Sequence, residues 1–276
     1  MVPEVAKGLP RFKQGIYEAR LKVCRAQRHI QESASILRAF EQSEYCKVSL
    51  ETDADTGQQV FRMSADAVPQ DFQLAIGECF RSLDCAFDYI VTALMDGLTG
   101  NAKRIHFPMH DTRDALKATF KAPKPNKNKT RNRDVVEAVP RFALMLLCQV
   151  KPYRGGNYFA WEIRQAANLD KHNMIIPTFK VSSIRDVVLA GSKDGPSFSG
   201  MTVSVHGDGT FNMIENWGSP ITLEQYGKPT FSVTFPESMD VFAGKPVLQT
   251  LIQCVQATSR LITLCEVHLS PTFSHI

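Results

Sequence analysis

Between Lys13 and Glu44 the chain runs 32 residues without a proline, and its last glycine in that stretch is Gly15. Ile16, Leu21, Val23, Ile30, Ile36, Leu37 and Phe40 approximate one helical stripe, while Arg20, Arg25, Arg28, Glu32 and Arg38 fit a wet face. The pattern predicts one long helix. Pro69 opens a second, expected to run to about Met95 and stop near Asp96-Gly97, with Asp66 or a neighbour as its cap. Its stripe is Ile76, Phe80, Leu83, Phe87, Ile90 and Leu94, spaced by three and four.

Between these helices, residues 46–51 and 59–65 alternate apolar and polar residues around Asp-Ala-Asp-Thr-Gly, which reads as a β-hairpin with one wet face. A short helix is expected near Asp111 to Thr119, another over Val135 to Val150 broken or begun at Pro140, and a third from Asn157 to about His172. The chain then changes character. Ile184–Ala190, Met201–His206, Thr210–Asn216 and Phe231–Phe235 read as strands, with His206-Gly207-Asp208-Gly209-Thr210 as a hairpin turn. A last amphipathic helix is expected over about 246–267, with Val247, Leu251, Val255, Thr258 and Ile262 on its inner stripe.

Strands that come in hairpins, and helices that do not alternate with them, predict α+β: a helical bundle core with a small antiparallel sheet and a C-terminal amphipathic helix. Residues 1–176 read as a mainly helical part with the hairpin inserted at about 46–65, and 177–276 as strands plus the last helix, packed on the first part as one unit. A length of 276 residues, 43% apolar and 22% charged, is enough to bury a core without staples. Seven cysteines without a CxxC pair read as reduced, buried thiols. The N-terminal residues lack the apolar stretch of a signal peptide. The longest apolar run, 142–148, is far below the roughly 20 residues that span a bilayer. A soluble, cytoplasmic protein is therefore expected, with no membrane partner.

Two polar constellations stand out. Arg164, Asn168 and Lys171 recur at four and three along one helix, and His172 follows Asn168 by four, beside Trp161 and Asp170. An Arg, an Asn and a His on one face can hold a phosphate and move a proton. On the second long helix Asp84 and Asp88 lie four apart, with Arg81 three before Asp84, beside the apolar stripe. A buried carboxylate needs a cation. Arg81 is the local candidate, and Arg164, Lys171 and His172 are candidates across a helix–helix contact. The two helices are expected to press together at this seam.

His106 and His110 flank Phe107-Pro108-Met109, and the proline breaks the helical His-x-x-x-His spacing, so no metal site is expected. No Gly-x-Ser-x-Gly, P-loop or nucleotide glycine fingerprint occurs, and no cofactor is expected. The net charge of +4 does not point to nucleic acid, but the loop 121–133 is locally basic: Lys121, Lys124, Lys127, Lys129, Arg131 and Arg133, with no acidic residue. It could contact a phosphate backbone, although it lacks aromatics for stacking.

Gly77 through Asp88-Tyr89-Ile90-Val91, Phe107-Pro108, Lys151-Pro152-Tyr153, and Trp161 through Asn168-Leu169-Asp170-Lys171-His172 occur in that order. Together they resemble a broad group of uncharacterised bacterial proteins, in which a Gly-Asp…Leu-Arg-Ser-Ala-Leu-Asp-His helix precedes Phe-Pro, Gln-Pro-Tyr and Asn-x-Asp-Lys-His. The resemblance covers about residues 76–176. Asp84 stands where that group has Arg, and Tyr89 where it has His, so no catalytic role carries over to those two positions. The helical part is also loosely similar to HEPN proteins, several of which are metal-independent ribonucleases with Arg-x(4–6)-His. Seven residues separate Arg164 from His172 here.

Three functions are therefore weighed. The first is a non-enzymatic binding or interaction protein, since no complete catalytic set assembles from the sequence. The second is a HEPN-like ribonuclease, in which His172 is the base, Arg164 stabilises the phosphorane and Asn168 orients the substrate, with a homodimer completing the groove. The third is RNA or other nucleic-acid binding through the 121–133 loop.

Overall fold

A computed structural model describes residues 8–43, 45–52, 59–99, 105–121, 140–190, 197–204, 210–212, 222–227 and 229–273. The fold is α+β. In chain order the elements are α1 (Gly8–Gln42), β1 (Cys46–Thr52), β2 (Gln59–Ala65), α2 (Gln70–Thr99), α3 (Arg113–Lys121), α4 (Pro140–Met145), a π-helical turn (Leu146–Val150) and α5 (Ala160–His172). There follow β3 (Thr178–Ala190), β4 (Ser197–Ser204), β5 (Thr210–Asn212), β6 (Thr222–Gln225), β7 (Pro229–Thr234), α6 (Val247–Leu269) and a 3₁₀ turn (Ser270–Phe273).

The stripes read for α2 and α6 are the faces that are buried; on α1, Ile16, Val23 and Phe40 are buried, Ile30, Ile36 and Leu37 are partly so, and Leu21, expected on the same stripe, is 49% exposed. Ile76, Phe80, Leu83, Phe87, Ile90 and Leu94 of α2 are all fully buried. Burying a side chain of this size contributes on the order of 2 kcal/mol, so this one stripe outweighs the helix's own propensity. Asp71 lies in the first turn. α1 runs antiparallel to α2, with Gly15 meeting Ala93 so closely that a Cβ at Gly15 would overlap the alanine methyl. α6 lies along α1 in the opposite sense: Phe12 meets Phe273 at 5.0 Å between ring centroids, and Arg20 pairs with Glu266 at 2.7 Å. One hydrophobic cluster takes residues from α1, α2, α4, α5 and α6 and from the 233–242 segment.

The strands form two antiparallel sheets. β1, β2 and β5 make a three-stranded sheet, in which β1 and β2 are the hairpin expected at 46–65. In the other, β3 pairs with β4 along one edge and with β7 and then β6 along the other. A register shift around Asp186, whose φ is +54°, lets one long strand serve two short partners. Residues 205–209, which hold the hairpin turn expected at 206–210, lie outside the described residues; among those described, β4 pairs with β3 and β5 pairs with β2 in the other sheet. Phe40 of α1 and Tyr45 just after it pack with Phe179 and Phe231 of the second sheet at centroid distances of 5.2 to 6.2 Å. That aromatic group holds the sheet to the bundle.

No helix among the described residues is long and apolar enough to cross a membrane.

Candidate functional site

α5 places polar side chains on two separate surfaces. Its buried residues are Ala160, Trp161, Ile163, Ala166 and Ala167, three of them alanines, which lets α2 approach closely. At the contact, Gly77 of α2 faces Asp170, and the carboxylate occupies the space a Cβ at Gly77 would take. Arg81 then closes over the same carboxylate, with Nη2 at 2.7 Å and Nε at 2.9 Å. That bonding raises the Arg81 guanidinium above its ordinary value.

One helical turn further along, Arg164 reaches into α2 and pairs with Asp84 through Nε and with Asp88 through Nη2, the latter at 2.7 Å. Asp88 is shared: it accepts the Phe107 backbone N–H at 2.9 Å and contacts His106 Nδ1 at 2.7 Å. The expected seam is therefore formed. Of the candidate partners for Asp84 and Asp88, Arg164 takes the role, and Arg81 turns instead to Asp170. Lys171 and His172 make no hydrogen bond or ion pair to either aspartate.

The electrostatics follow from the burial. Desolvation opposes the Arg164 charge, but the two flanking carboxylates more than reverse it, so its pKa is raised. Asp84 is 8% exposed, and burial pushes its carboxyl up. Arg164 pulls it back, and the nearby Asp88 charge pushes it up again, leaving it above its usual value. One guanidinium divided between two carboxylates does not fully offset the desolvation of the deeper one.

The loop after α2 is tied into the same seam. His110 N–H donates to Pro152 O at 3.0 Å, and His110 bridges Tyr153. The Trp161 indole donates to Asp111 at 3.1 Å. The His110 imidazole meets Thr119 Oγ1 at 2.9 Å, and burial lowers its pKa. Phe107-Pro108, Pro152-Tyr153 and the α5 residues thus form one bonded unit around Asp88. His106 was not expected here. The signal for it is the carboxylate itself, which has more acceptor positions than one shared guanidinium can fill.

The second surface is an open groove of about 610 Å³ beyond the C-terminal end of α5. Gln165, Asn168, Leu169 and His172 line one side of it. The segment 173–176 lines the next side and the turn 236–241 the facing one. Arg164 is not among the lining residues. At about 100° per residue Asn168 lies only about 40° and His172 about 80° round the helix from Arg164, yet Arg164 reaches across to Asp84 and Asp88 while Asn168 and His172 line the groove. The expected Arg–Asn–His face is thereby split. Asn168 Oδ1 accepts from Lys171 Nζ at 3.1 Å, and His172 is exposed.

Of the nine large apolar side chains left exposed among the described residues, three fall within this short stretch: Leu169, Met174 and Ile176. Clustering at one groove distinguishes them from the single exposed apolar residues that any surface carries. Nothing in the helical spacing pointed to them, although Asn-Met-Ile-Ile-Pro at 173–177 is readable as apolar residues held extended ahead of a proline.

Of the basic loop, Lys121 is the last residue of α3; Lys124, Lys127, Lys129, Arg131 and Arg133 lie outside the described residues. No group of three His, Cys, Asp or Glu among the described residues is placed to hold a metal ion. Cys24, Cys79, Cys85, Cys148, Cys254 and Cys265 are free thiols, and burial pushes Cys79 up to about 12. Compared with family models, with curated proteins and with solved structures, the chain shows no match.

Proposed function

We propose that this chain is a non-enzymatic interaction protein of the cytoplasm that receives a protein segment in the groove beside the C-terminal end of α5. One observation carries the reading. Arg81, Asp84, Asp88, Arg164 and Asp170 are paired with one another in the seam, so among the described residues the groove has no guanidinium beside His172, while Leu169, Met174 and Ile176 are left exposed around a concave surface. An apolar hollow with a few polar groups on its rim is what a binding site requires. The free thiols accord with a reducing compartment.

A HEPN-like ribonuclease would need Arg164 at the substrate, opposite His172. Its guanidinium is 16% exposed and divided between Asp84 and Asp88, so releasing it would leave two carboxylates in the seam without their cation.

Two measurements on the purified protein test the proposal. Labelled single-stranded RNA incubated with wild type and with His172→Ala is expected to stay intact in both; cleavage by wild type that His172→Ala abolishes would overturn the non-enzymatic reading. On an array of immobilised peptides, wild type is expected to retain peptides that Ile176→Asp does not. An unchanged array with Ile176→Asp would remove the groove from the proposal.

A further inference from the structure

We infer that the groove is an unfilled strand position, and that its occupant is an extended peptide carrying alternate apolar side chains and a basic residue. This rests on the reading of the chain as an interaction protein and names the partner's chemistry.

The groove exists because a sheet opens at one end. β3 and β7 are paired from Ile184↔Pro229 to Thr178↔Thr234. Past that point the two chains separate. Phe235 bonds to Lys245 and Gly244 instead, and Pro236–Met239 closes a turn. The chain preceding β3 keeps its extended course: Asn173 has φ −144° and ψ 124°, and Pro177 disfavours a helical Ile176. An extended chain over 173–177 spans about 16 Å at roughly 3.3 Å per residue, while the partner of β3 has turned away at Phe235. The space between them is the groove, walled by 173–176 and 236–241.

Among the described residues, Met174, Ile175 and Ile176 have no backbone–backbone hydrogen-bond partner. Main-chain donors and acceptors without a strand partner are the condition under which a peptide adds as a strand. Their side chains alternate as in a strand: Ile175 is buried, whereas Met174 is 44% and Ile176 63% exposed. An added strand would set its own alternate side chains beside Met174 and Ile176, and a methionine adapts to more than one apolar shape. On the facing wall Asp240 is exposed and has no ion-pair partner among the described residues. A lysine or arginine on the incoming segment would supply one.

The probe is a fluorescein-labelled seven-residue peptide alternating valine with threonine and ending in lysine, titrated against the full chain by fluorescence polarisation. Two further forms carry N-methyl groups on one or the other set of alternate amides. Wild type is expected to bind the parent peptide and to lose at least about tenfold with one methylated set, but not with the other, because only one edge of a strand faces its neighbour. Exchanging lysine for glutamate should weaken binding by about two- to five-fold, the range for a rim ion pair, and Asp240→Lys should reverse that preference. Absence of binding to the parent peptide overturns the inference, and so does equal binding of both methylated forms. An amphipathic helical peptide of the same apolar content separates the two levels. If it binds wild type and not Ile176→Asp while the extended peptide does not bind, the interaction reading stands and the strand inference falls. If neither peptide binds, both fall. Melting curves of Ile176→Asp and Asp240→Lys, both at exposed positions, establish that these variants fold.

Discussion

The seam between α2 and α5 and the groove at the end of α5 use neighbouring residues of one helix for opposite purposes. At the seam the charged groups are paired with one another, and Asp88 holds a guanidinium, an imidazole and a backbone N–H. At the groove, Met174, Ile175 and Ile176 have no backbone hydrogen-bond partner among the described residues, and Leu169, Met174 and Ile176 are exposed. A partly buried, mutually bonded set of charges is costly to alter and holds two helices in one register. An exposed apolar surface beside unpaired chain contributes little to stability and is open to a second molecule. Residues four apart on one helix can therefore belong to scaffold and to site.

The contrast is sharpest in the response to substitution. Arg164→Met leaves Asp84 and Asp88 close together without their cation and is expected to cost about 3–5 kcal/mol, measured by urea denaturation. Arg164→Lys should recover only part of this, because an ammonium cannot reproduce the fork that spans both carboxylates. A loss below about 1 kcal/mol for Arg164→Met would mean the seam is no more than surface charge. Gly77→Ala comes next. Its methyl must displace the Asp170 carboxylate and with it Arg81, for an expected loss of about 1–3 kcal/mol, and Asp170→Ala in the same chain should relieve the overlap.

Asp84→Asn is predicted to be mild at neutral pH, within about 1 kcal/mol of wild type, because an amide oxygen can still accept from Arg164. Its pH dependence has a definite sign. The folded-state pKa of Asp84 is raised, by burial first, above the unfolded value of about 3.9. Protonation then favours the folded state, so wild type should gain on Asp84→Asn as pH falls from above the raised value toward about 4. Denaturation midpoints of both proteins across that window test this, and a relative loss for wild type on acidification would show that the ion pair outweighs desolvation. The smallest effects belong to the groove. Met174→Thr and Ile176→Thr should change stability by no more than about 0.5 kcal/mol while weakening peptide binding. A stability loss as large as that of Gly77→Ala would place this surface with the scaffold.

Much of the architecture was legible in the residues. The spacing of Ile76, Phe80, Leu83, Phe87 and Ile90 locates the buried face of α2, and the alternation at 46–65 locates a hairpin, because both patterns are local consequences of backbone periodicity. Boundaries were less so: α2 continues to Thr99, past Asp96-Gly97, since one glycine does not end a helix when Leu98 beyond it still packs against the core. Of the site, Asp84, Asp88 and Arg164 could be picked out as charges in need of partners, but the pairing could not. Arg81 looked like the local answer for Asp84, and packing gave it to Asp170.

The sequence by itself determined where the long helices and the 46–65 hairpin lie, which faces of α2 and α6 are apolar, and that the α2 carboxylates require a cation, but not β6 at Thr222–Gln225 or the first half of β3. The features it determined are properties of spacing and of single groups. Tertiary structure alone decided that Arg164 turns to the seam while Asn168 and His172 turn away, that β5 joins β1 and β2 rather than β4, and that β7 leaves β3 at Phe235 and opens the groove. Each of these depends on where a distant segment comes to lie, and contacts between segments far apart in the chain leave no periodic trace along it.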